Sequence, residues 1–268
     1  MRTHALRIER MTTEVLYPTS ADEAALLYGS GDGLTVFGGG TILLPEIAAG
    51  RLTPTRALML HRAGMASVRV DGDRVVIGAM TPVAALVDGP DLVLAEVARH
   101  IADEEIRRSA TVGGNVCAPP GLDAQRGDLG GPLIALGARV RSVGAGGERT
   151  EPVEDFLAGR RDGRLVLELE YDRFDRRSGT SGLRRRHAHS YAIAGVVACS
   201  KQDGSELRVA VTGVGPTAVR CRIVEQSRDP ADVLKDVAPI DDAVASAAYR
   251  ETVLPKLVAE ALDQLERS

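Results

Sequence analysis

The sequence predicts a protein that mixes α-helices and β-strands along the chain. Three strand-like runs follow one another near residues 56–60, 66–70 and 74–79. Residues 91–109 place apolar side chains at helical spacing, and residues 241–267 form a final helical region. Together, these runs indicate mixed secondary structure with more than one sheet-forming stretch.

The N-terminal part is predicted to begin with a helix and a strand. Ser20 and Glu23 have the spacing of a capping box, and the Ala/Leu run after them ends at Gly29. Residues 34–37, Leu-Thr-Val-Phe, predict a short buried strand that runs directly into three glycines. The following Ile-Leu-Leu-Pro-Glu-Ile segment predicts a helical turn that is closed by Gly50.

A second set of strands is expected after the helical segment. Residues 131–143 predict a helix that passes into a strand, and residues 163–172 predict another strand. Residues 173–190 are polar, rich in arginine and interrupted by glycine, which indicates a linker or a long loop. Two further strands follow, and Pro255 is expected to kink the final helix.

Composition and charge exclude several classes of function. The chain has 268 residues, 44% of them hydrophobic, which suits one large domain or two smaller ones. Its net charge of -4 provides no basic field for nucleic acid or an anionic membrane surface. No apolar run is long enough to span a bilayer, and the N-terminus lacks the pattern of a secretory signal, so we expect a cytoplasmic protein. Cys117, Cys199 and Cys221 are too few and too far apart to hold an iron–sulfur cluster or another metal.

Two glycine-rich loops are the strongest indication of a binding site. The first contains Gly-Gly-Gly-Thr at residues 38–41, and the second contains Ala-Thr-Val-Gly-Gly-Asn at residues 110–115. Backbone N–H groups in such loops can converge on an anion, because glycine lets a phosphate approach without a Cβ in the way. Thr41, Thr111 and Asn115 add small polar side chains. Two such loops suit a pyrophosphate, although spacing alone favours two tight turns.

The two best-known phosphate-binding motifs are absent from the sequence. GxGxxG would need a third glycine where Leu43 stands, and no GxxxxGK[ST] occurs. The first loop is therefore neither a Rossmann fingerprint nor a Walker A loop.

Several linked segments resemble the FAD-binding subunits of the molybdenum hydroxylases, such as carbon monoxide dehydrogenase medium subunits and the flavin domain of xanthine dehydrogenase. The similarity extends from Tyr17 to the C-terminus, and the segments occur in the family's order. They are YPTSADEAALL (17–27), FGGGTILLP (37–45), RVVIGAMTPVAAL (74–86), EIRRSATVGGNV (105–116) and DLGGPLIALGARV (128–140).

The resemblance implies a fold and a domain organisation. It implies an α+β protein with a two-part FAD-binding domain of the vanillyl-alcohol-oxidase and molybdenum-hydroxylase flavoprotein type, followed by a small C-terminal α+β domain. The FAD-binding domain is expected at residues 11–175, with subdomains at about 11–65 and 66–175, and the C-terminal domain at 176–268.

The resemblance also implies which residues contact FAD, with both glycine loops gripping the pyrophosphate. Asp128 matches the acidic residue that holds the ribose region, and Asp123 is a rival because the segment before Asp128 is longer than usual. Val166 matches an apolar position packed against the flavin end. No catalytic residue and no metal ligand is assigned. The expected cofactor-binding residues are Phe37, Gly38, Gly39, Gly40, Thr41, Ile42, Ala110, Thr111, Gly113, Gly114, Asn115, Asp128 and Val166.

The chain departs from the family's pattern at two places. Ile42 stands where relatives usually have Asp, Ser or Glu, so a polar contact is expected to be lost. Many relatives carry a lysine near the flavin ring, where this chain has Gly182 and Leu183. Arg184 could supply the cation, but a guanidinium differs from an ammonium in geometry, so the redox potential is left open.

Three other sets of residues are functional candidates. Cys117 is interpreted as a small buried residue rather than a flavin contact. His187 and His189 are interpreted as solvated loop residues, with a flavin-edge or proton-transfer role as the alternative. The acidic run at residues 103–105 is interpreted as a solubilising helix end rather than an acid–base pair.

The resemblance therefore implies an FAD-dependent electron-transfer subunit. It would take electrons from an iron–sulfur subunit, which in turn serves a molybdenum-cofactor subunit, and pass them to NAD, oxygen or another acceptor. The alternative is a stand-alone flavoenzyme acting on a small molecule, for example in a biosynthetic pathway, as the missing lysine and the longer 116–127 segment suggest. A third hypothesis is a non-enzymatic scaffold that has lost FAD, which Ile42 alone supports.

Overall fold

Three β-sheets organise the part of the chain that the computed structural model describes, which comprises residues 13–119, 127–159, 163–173, 175–185 and 191–268. The first sheet is parallel, whereas the second and third are antiparallel. The mixture of sheets with helices confirms the predicted α+β class.

The first sheet has strand order β1-β3-β2. Its strands are β1 (Glu14–Leu16), β2 (Leu34–Phe37) and β3 (Arg56–Met59). Helices α1 (Ala21–Tyr28) and α2 (Leu43–Ala48) connect them, as crossover helices do between parallel strands. The predicted first helix, the strand over 34–37 and the helical turn after it are confirmed.

Ser20 caps α1 as the sequence predicts, but the carboxylate of Glu23 bonds to a different residue than in a standard capping box. Its hydroxyl accepts the N–H of Glu23 at 3.0 Å. The carboxylate of Glu23 reaches back one residue further than a capping box requires, and accepts the N–H and the hydroxyl of Thr19 at 2.7 Å each. These hydrogen bonds lower the pKa of Glu23.

The second sheet is the largest and has strand order β4-β5-β8-β6-β7. Its strands are β4 (Val68–Asp71), β5 (Arg74–Gly78), β6 (Arg139–Gly144), β7 (Gly147–Pro152) and β8 (Arg164–Asp172). Between β5 and β6 the chain forms α3 (Ala84–Val87), α4 (Leu92–Arg99), α5 (Glu104–Ser109), α6 (Val112–Val116) and α7 (Gly130–Ala135). Helix α8 (Val153–Gly159) follows β7.

The third sheet has strand order β12-β11-β10-β9 and is covered by the last helix. Its strands are β9 (Arg176–Arg184), β10 (Ala192–Lys201), β11 (Arg208–Thr212) and β12 (Val219–Arg220). Helices α9 (Arg222–Ser227), α10 (Val233–Asp236) and α11 (Ala247–Arg267) complete the chain, and Pro255 lies inside α11.

The prediction of one helix over residues 91–109 is wrong, because the chain forms α4 and α5 with a break between them. Ala102 has a φ of 44°, a left-handed conformation that a helix interior does not contain. Asp103 then caps α5 with its carboxylate. Arg107 stabilises the break by donating from Nη1 to the carbonyls of Ile101 and Ala102 at 2.9 and 2.8 Å.

The prediction of a linker over residues 173–190 is also wrong, because residues 176–184 form the edge strand β9. Its Arg- and Gly-rich composition is that of an edge strand protected from further pairing rather than that of a loop. Side chains of α11 occupy its outer N–H groups: Ser268 Oγ accepts from Ser178 and Gln264 Oε1 from Thr180, each at 3.0 Å. His187 and His189 lie outside the described residues.

Two hydrophobic clusters share the third sheet. The first packs around the second sheet and includes the fully buried Leu94, Leu133 and Leu169. The second lies between the third sheet and α11, and includes Leu254 and Val258. Alternate residues of β10 point into each cluster, which explains why this strand is apolar along most of its length.

Gly179 tests the packing of α11 on β9. A Cβ at this position would lie 1.9 Å from the carbonyl oxygen of Ala261 in α11, so the helix backbone must move. We expect Gly179→Ala to lower the free energy of unfolding by about 1–3 kcal/mol, as overpacking does, in urea denaturation. Gly215→Ala is the control, because a Cβ there meets no atom within 4 Å. Equal stability of the two variants would contradict this packing.

Candidate functional site

The two glycine-rich loops predicted from the sequence lie directly against each other. The first loop, residues 38–42, leaves β2, and the second loop, residues 110–115, leaves α5. A Cβ on Gly39 would lie 1.8 Å from the carbonyl oxygen of Ser109, and one on Gly38 would lie 2.8 Å from Thr111 Oγ1. The obstacle at Gly39 is backbone, so only a residue without a side chain fits there.

The second loop contains a short helix, α6, where the sequence favoured a turn. Thr111 caps it, and its Oγ1 accepts the N–H of Gly114 at 3.1 Å. Neither glycine of the pair has a positive φ, so conformational freedom is not the reason for them. Gly113 is required by close approach, because its Cβ would lie 2.8 Å from that of Ala79 at the end of β5. Gly114 is exposed and leaves the surface of α6 open.

The first loop presents backbone N–H groups that its own fold does not use. Among the described residues, no acceptor bonds to the N–H groups of Gly39, Gly40, Thr41 or Ile42; two residues further along, the N–H of Leu44 donates to Gly40 O at 2.9 Å. Gly40 has a φ of 73°, which turns the backbone at this point. Successive N–H groups around a left-handed residue form a concave site for an anion.

A cleft of about 260 Å³ opens where the two loops meet. Most of the expected cofactor-binding residues line it: Gly38, Gly39, Gly40, Thr41, Ile42, Ala110, Thr111, Gly114, Asn115 and Asp128. Its remaining walls include Ile101, Ala102 and Ile106 from the α4–α5 region, and Tyr191 just before β10. The structure therefore brings together residues that are distant in sequence.

Two smaller cavities adjoin the cleft and contain further expected residues. The rear cavity, of about 120 Å³, shares Thr111 and Gly114 with the cleft and is also lined by Gly113 and Val166. The side cavity, of about 170 Å³, shares Asp128 with the cleft and is lined by Arg184. Phe37 is buried at the end of β2 and lines neither the cleft nor the two cavities. Its neighbour Val36 lines the cleft and the rear cavity. Asp123 lies outside the described residues.

Asp128 is a buried carboxylic acid at the junction of the cleft and the side cavity. Its side chain is 6% exposed, and burial raises its pKa from 3.8 to about 6, against the opposing attraction of Arg184. The backbone beside it is fixed, because Asn115 Oδ1 accepts the N–H of Leu129 at 2.9 Å. This carboxyl group therefore changes its charge near neutral pH.

Cys117 is not the small buried residue that the sequence favoured. It ends α6, is exposed, and lines both the cleft and the rear cavity. The acidic run over 103–105 has the structural roles expected of a helix end: Asp103 caps α5, and Glu104 pairs with Arg108 at 2.6 Å.

Sequence reasoning missed the apolar wall and Tyr191. Ile101 and Ala102 reach the cleft only because the chain breaks between α4 and α5, and the helical pattern of residues 91–109 hides that break. Tyr191 is 39% exposed and comes just before β10, a strand that the sequence predicts. The apolar pattern of that strand does not show that the residue at its start lines the cleft. The available signal was a tyrosine, an aromatic residue with a polar tip, at the start of an otherwise apolar run.

The described residues offer neither a metal site nor a membrane-spanning helix. They contain no group of three or more His, Cys, Asp and Glu side chains placed to hold a metal ion. Within the same ranges, no helix combines the length and the apolar character needed to cross a bilayer.

The fold is that of an FAD-binding flavoprotein. Residues 10–170 match the family described as the FAD binding domain in molybdopterin dehydrogenase, and the chain belongs to this family. The cofactor expected from the sequence, FAD, is thereby confirmed, as is the assignment to FAD-dependent oxidoreductases.

Relatives match most of the chain. The carbon monoxide dehydrogenase medium chain of Hydrogenophaga pseudoflava is 27% identical over 277 residues, covering 92% of this chain and 94% of that protein. The 6-hydroxypseudooxynicotine dehydrogenase complex subunit alpha of Paenarthrobacter nicotinovorans is 27% identical over 266 residues, covering 88% of each. A solved carbon monoxide dehydrogenase from Hydrogenophaga pseudoflava, lacking the Mo-pyranopterin moiety, matches 95% of this chain and 97% of its own at 25% identity and a TM-score of 0.83.

The raised pKa of Asp128 predicts a pH-dependent stability. Between pH 4 and pH 6 the unfolded chain releases this proton while the folded protein keeps it, so the free energy of unfolding falls as pH rises. With the folded pKa at about 6, the loss across this window is about 3 kcal/mol.

Urea denaturation at a series of pH values, with wild type and Asp128→Asn compared at each, isolates this contribution. We expect the variant to gain stability relative to wild type from pH 4 to pH 6 and to gain nothing further above that. A constant difference between the two proteins across the window would contradict the buried position of the carboxyl group.

Proposed function

We propose that this chain is the FAD-binding electron-transfer subunit of a molybdenum hydroxylase. In this proposal it receives electrons from an iron–sulfur subunit that serves a molybdenum-cofactor subunit, and passes them to NAD, oxygen or another acceptor in the cytoplasm. Family membership and the names of relatives, a medium chain and a subunit of a dehydrogenase complex, support it. The chain covers nearly the whole length of the first of these relatives.

The observation that carries the proposal is the contact between the two loops at the edge of the cleft. The unbonded N–H groups of residues 39–42 and the open surface at Gly114 leave room for two phosphates without a side chain in the way. A Cβ on Gly114 would meet Thr111 Oγ1 at 2.8 Å and would narrow this space. The residues present therefore fit the pyrophosphate of FAD.

The other residues that line the cleft and its cavities would have different roles in FAD binding. Asp128, when ionised, would accept hydrogen bonds from ribose hydroxyls. Ile101, Ala102 and Ile106 would exclude water from one side of the cleft, and Val166 would do so from the rear cavity. When bound, FAD supplies the electron-carrying chemistry that amino-acid side chains lack.

Arg184 is the cation that this site offers where the family resemblance implies a lysine. It lines the side cavity, and its charge acts on Asp128 across the boundary with the cleft. Its Nε is buried and has no hydrogen-bond partner among the described residues. We propose that this guanidinium stabilises negative charge on the bound cofactor at the Asp128 side of the cleft.

A substitution at Gly114 tests whether the second glycine loop binds the pyrophosphate. We expect Gly114→Val to raise the Kd for FAD at least about a hundredfold, because a side chain would stand where a phosphate must approach. The measurement is the visible absorption spectrum after incubation with FAD and removal of excess. Ala85→Val is the control, since it adds a branched side chain at an exposed position of α3 that lines neither the cleft nor its cavities.

Normal flavin retention by Gly114→Val would contradict the assignment of the second loop to the pyrophosphate. Failure of wild type to bind FAD would contradict the proposed function as a whole. Far-ultraviolet circular dichroism establishes that each variant is folded before its flavin content is compared.

Isolation of the native protein tests the electron-transfer role. We expect the tagged chain, expressed in its own host, to copurify with two further subunits, and the complex to contain molybdenum and iron by elemental analysis. Addition of the complex's substrate should bleach the flavin absorption, whereas the same addition to the isolated FAD-loaded chain should not. A single flavin-loaded species that oxidises a small molecule unaided would favour the stand-alone enzyme instead.

A further inference from the structure

We infer that Arg250 in α11 is a positioning residue for the FAD cleft, acting through a β-bulge at the start of β10. Arg250 lies outside residues 10–170, the part of the chain that matches the FAD-binding family. The inference rests on the proposed function, in that it takes the cleft as the FAD site.

The bulge lies where β10 enters the third sheet. In the pairing of β10 with β9, Ala192 opposes Arg184 and Ala194 opposes Leu183, so Ile193 has no partner residue. A bulge of this kind bends its strand and redirects neighbouring side chains. Here the neighbours are functional, because Arg184 lines the side cavity and Tyr191 lines the cleft.

Arg250 bonds the carbonyl of the bulged residue. Its guanidinium is completely buried, and Nε donates to the carbonyl oxygen of Ile193 at 2.9 Å. Nη2 donates to both carboxylate oxygens of Asp242 at 2.9 and 2.8 Å, so a charge-assisted pair of bonds joins the two buried side chains. Nη1 donates to the carbonyls of Ile240 and Ala245 at 2.6 and 2.8 Å.

The segment over residues 240–245, which we call the brace, also holds the end of β9. Arg185 donates from Nη2 to the carbonyl of Ala243 at 3.0 Å and to that of Val244. Asp242 stiffens the brace by accepting the N–H groups of Val244 and Ala245 at 2.8 and 3.0 Å. Arg250 and Arg185 therefore tie the two strands that flank the cleft and the side cavity to the same six residues.

The backbone at Gly213 also packs against the bulge. A Cβ on Gly213, which has a φ of 79°, would lie 2.8 Å from the carbonyl oxygen of Ala192 and 3.2 Å from that of Ile193. The close approach of Gly213 and the hydrogen bond from Arg250 therefore both restrict the position of the bulge carbonyls. The bulge in turn positions Tyr191 and Arg184, which lie next to it in the chain and in the sheet.

Two variants and a control test this inference in the full-length chain loaded with FAD. Arg250→Met removes the guanidinium and keeps a side chain of similar length. Asp242→Asn removes the charge that pairs with Arg250 and keeps the oxygen that accepts the N–H groups within the brace. Asp236→Asn is the control: its carboxylate accepts the N–H groups of Ile223 and Val224 in the same C-terminal part, without contact to the bulge. The readouts are the Kd for FAD, the visible circular dichroism of bound flavin and the thermal midpoint.

We expect Arg250→Met to raise the Kd for FAD about tenfold and to change the visible circular dichroism of the flavin, because small misplacements of a site wall are costly. Asp242→Asn should change both in the same direction by less. Asp236→Asn should lower the thermal midpoint alone. Wild-type Kd and dichroism in folded Arg250→Met would overturn the inference, and if that variant does not fold, the same result in Asp242→Asn would do so.

Hydrogen exchange separates this inference from the proposed function. In the absence of FAD, Asp242→Asn should lose amide protection in residues 192–195 while residues 196–200 of the same strand keep theirs. Uniform loss along β10, or none, would show that the guanidinium supports the sheet as a whole and would overturn the positioning role. A wild-type protein that fails to bind FAD would refute the proposed function, and the exchange result would still decide the role of Arg250.

Discussion

The approach of the first loop to the carbonyl oxygen of Ser109 is the contact on which the rest of the site depends. Each loop is fixed to a different sheet: the first continues β2, and the second is held to the end of β5 by hydrogen bonds from Val112 to Thr81 and from Gly113 to Ala79. The contact therefore joins two sheets through backbone atoms alone. Because no side chain intervenes, the N–H groups at the cleft edge have positions set by strands rather than by rotamers.

The cleft draws on all three sheets, and its chemistry divides accordingly. The parallel sheet supplies N–H groups, the large antiparallel sheet supplies the second loop and the apolar rear wall, and the third sheet supplies Tyr191 and Arg184. Asp128 lies where these contributions meet, and burial raises its pKa. In the proposed function, anion binding and charge tuning fall to separate elements, so one can change in evolution without loss of the other.

Much of the fold could be predicted from the sequence, because the strand before the three glycines and the Ser20 cap are encoded in adjacent residues. The pairing of the two glycine loops is a long-range contact, which the family resemblance implied and local spacing did not. Three features could not be predicted. The break at Ala102 depends on a left-handed alanine held by Arg107, the strand β9 depends on cover by α11, and the exposure of Cys117 depends on where α6 ends. Each is decided by tertiary contacts that override local composition.

The division of the cleft among distant segments has a consequence for synthesis and turnover of the protein. Lining residues run from Val36 to Tyr191, so a nascent chain exposes its first loop long before the second loop and the far wall have left the ribosome. An FAD site built from these segments is complete only when most of the polypeptide has been made, and FAD binding would then stabilise the folded state by mass action. Because FAD binding stabilises the folded protein, the supply of riboflavin, the precursor of FAD, would set how long the subunit resists cellular proteases, whatever its rate of translation.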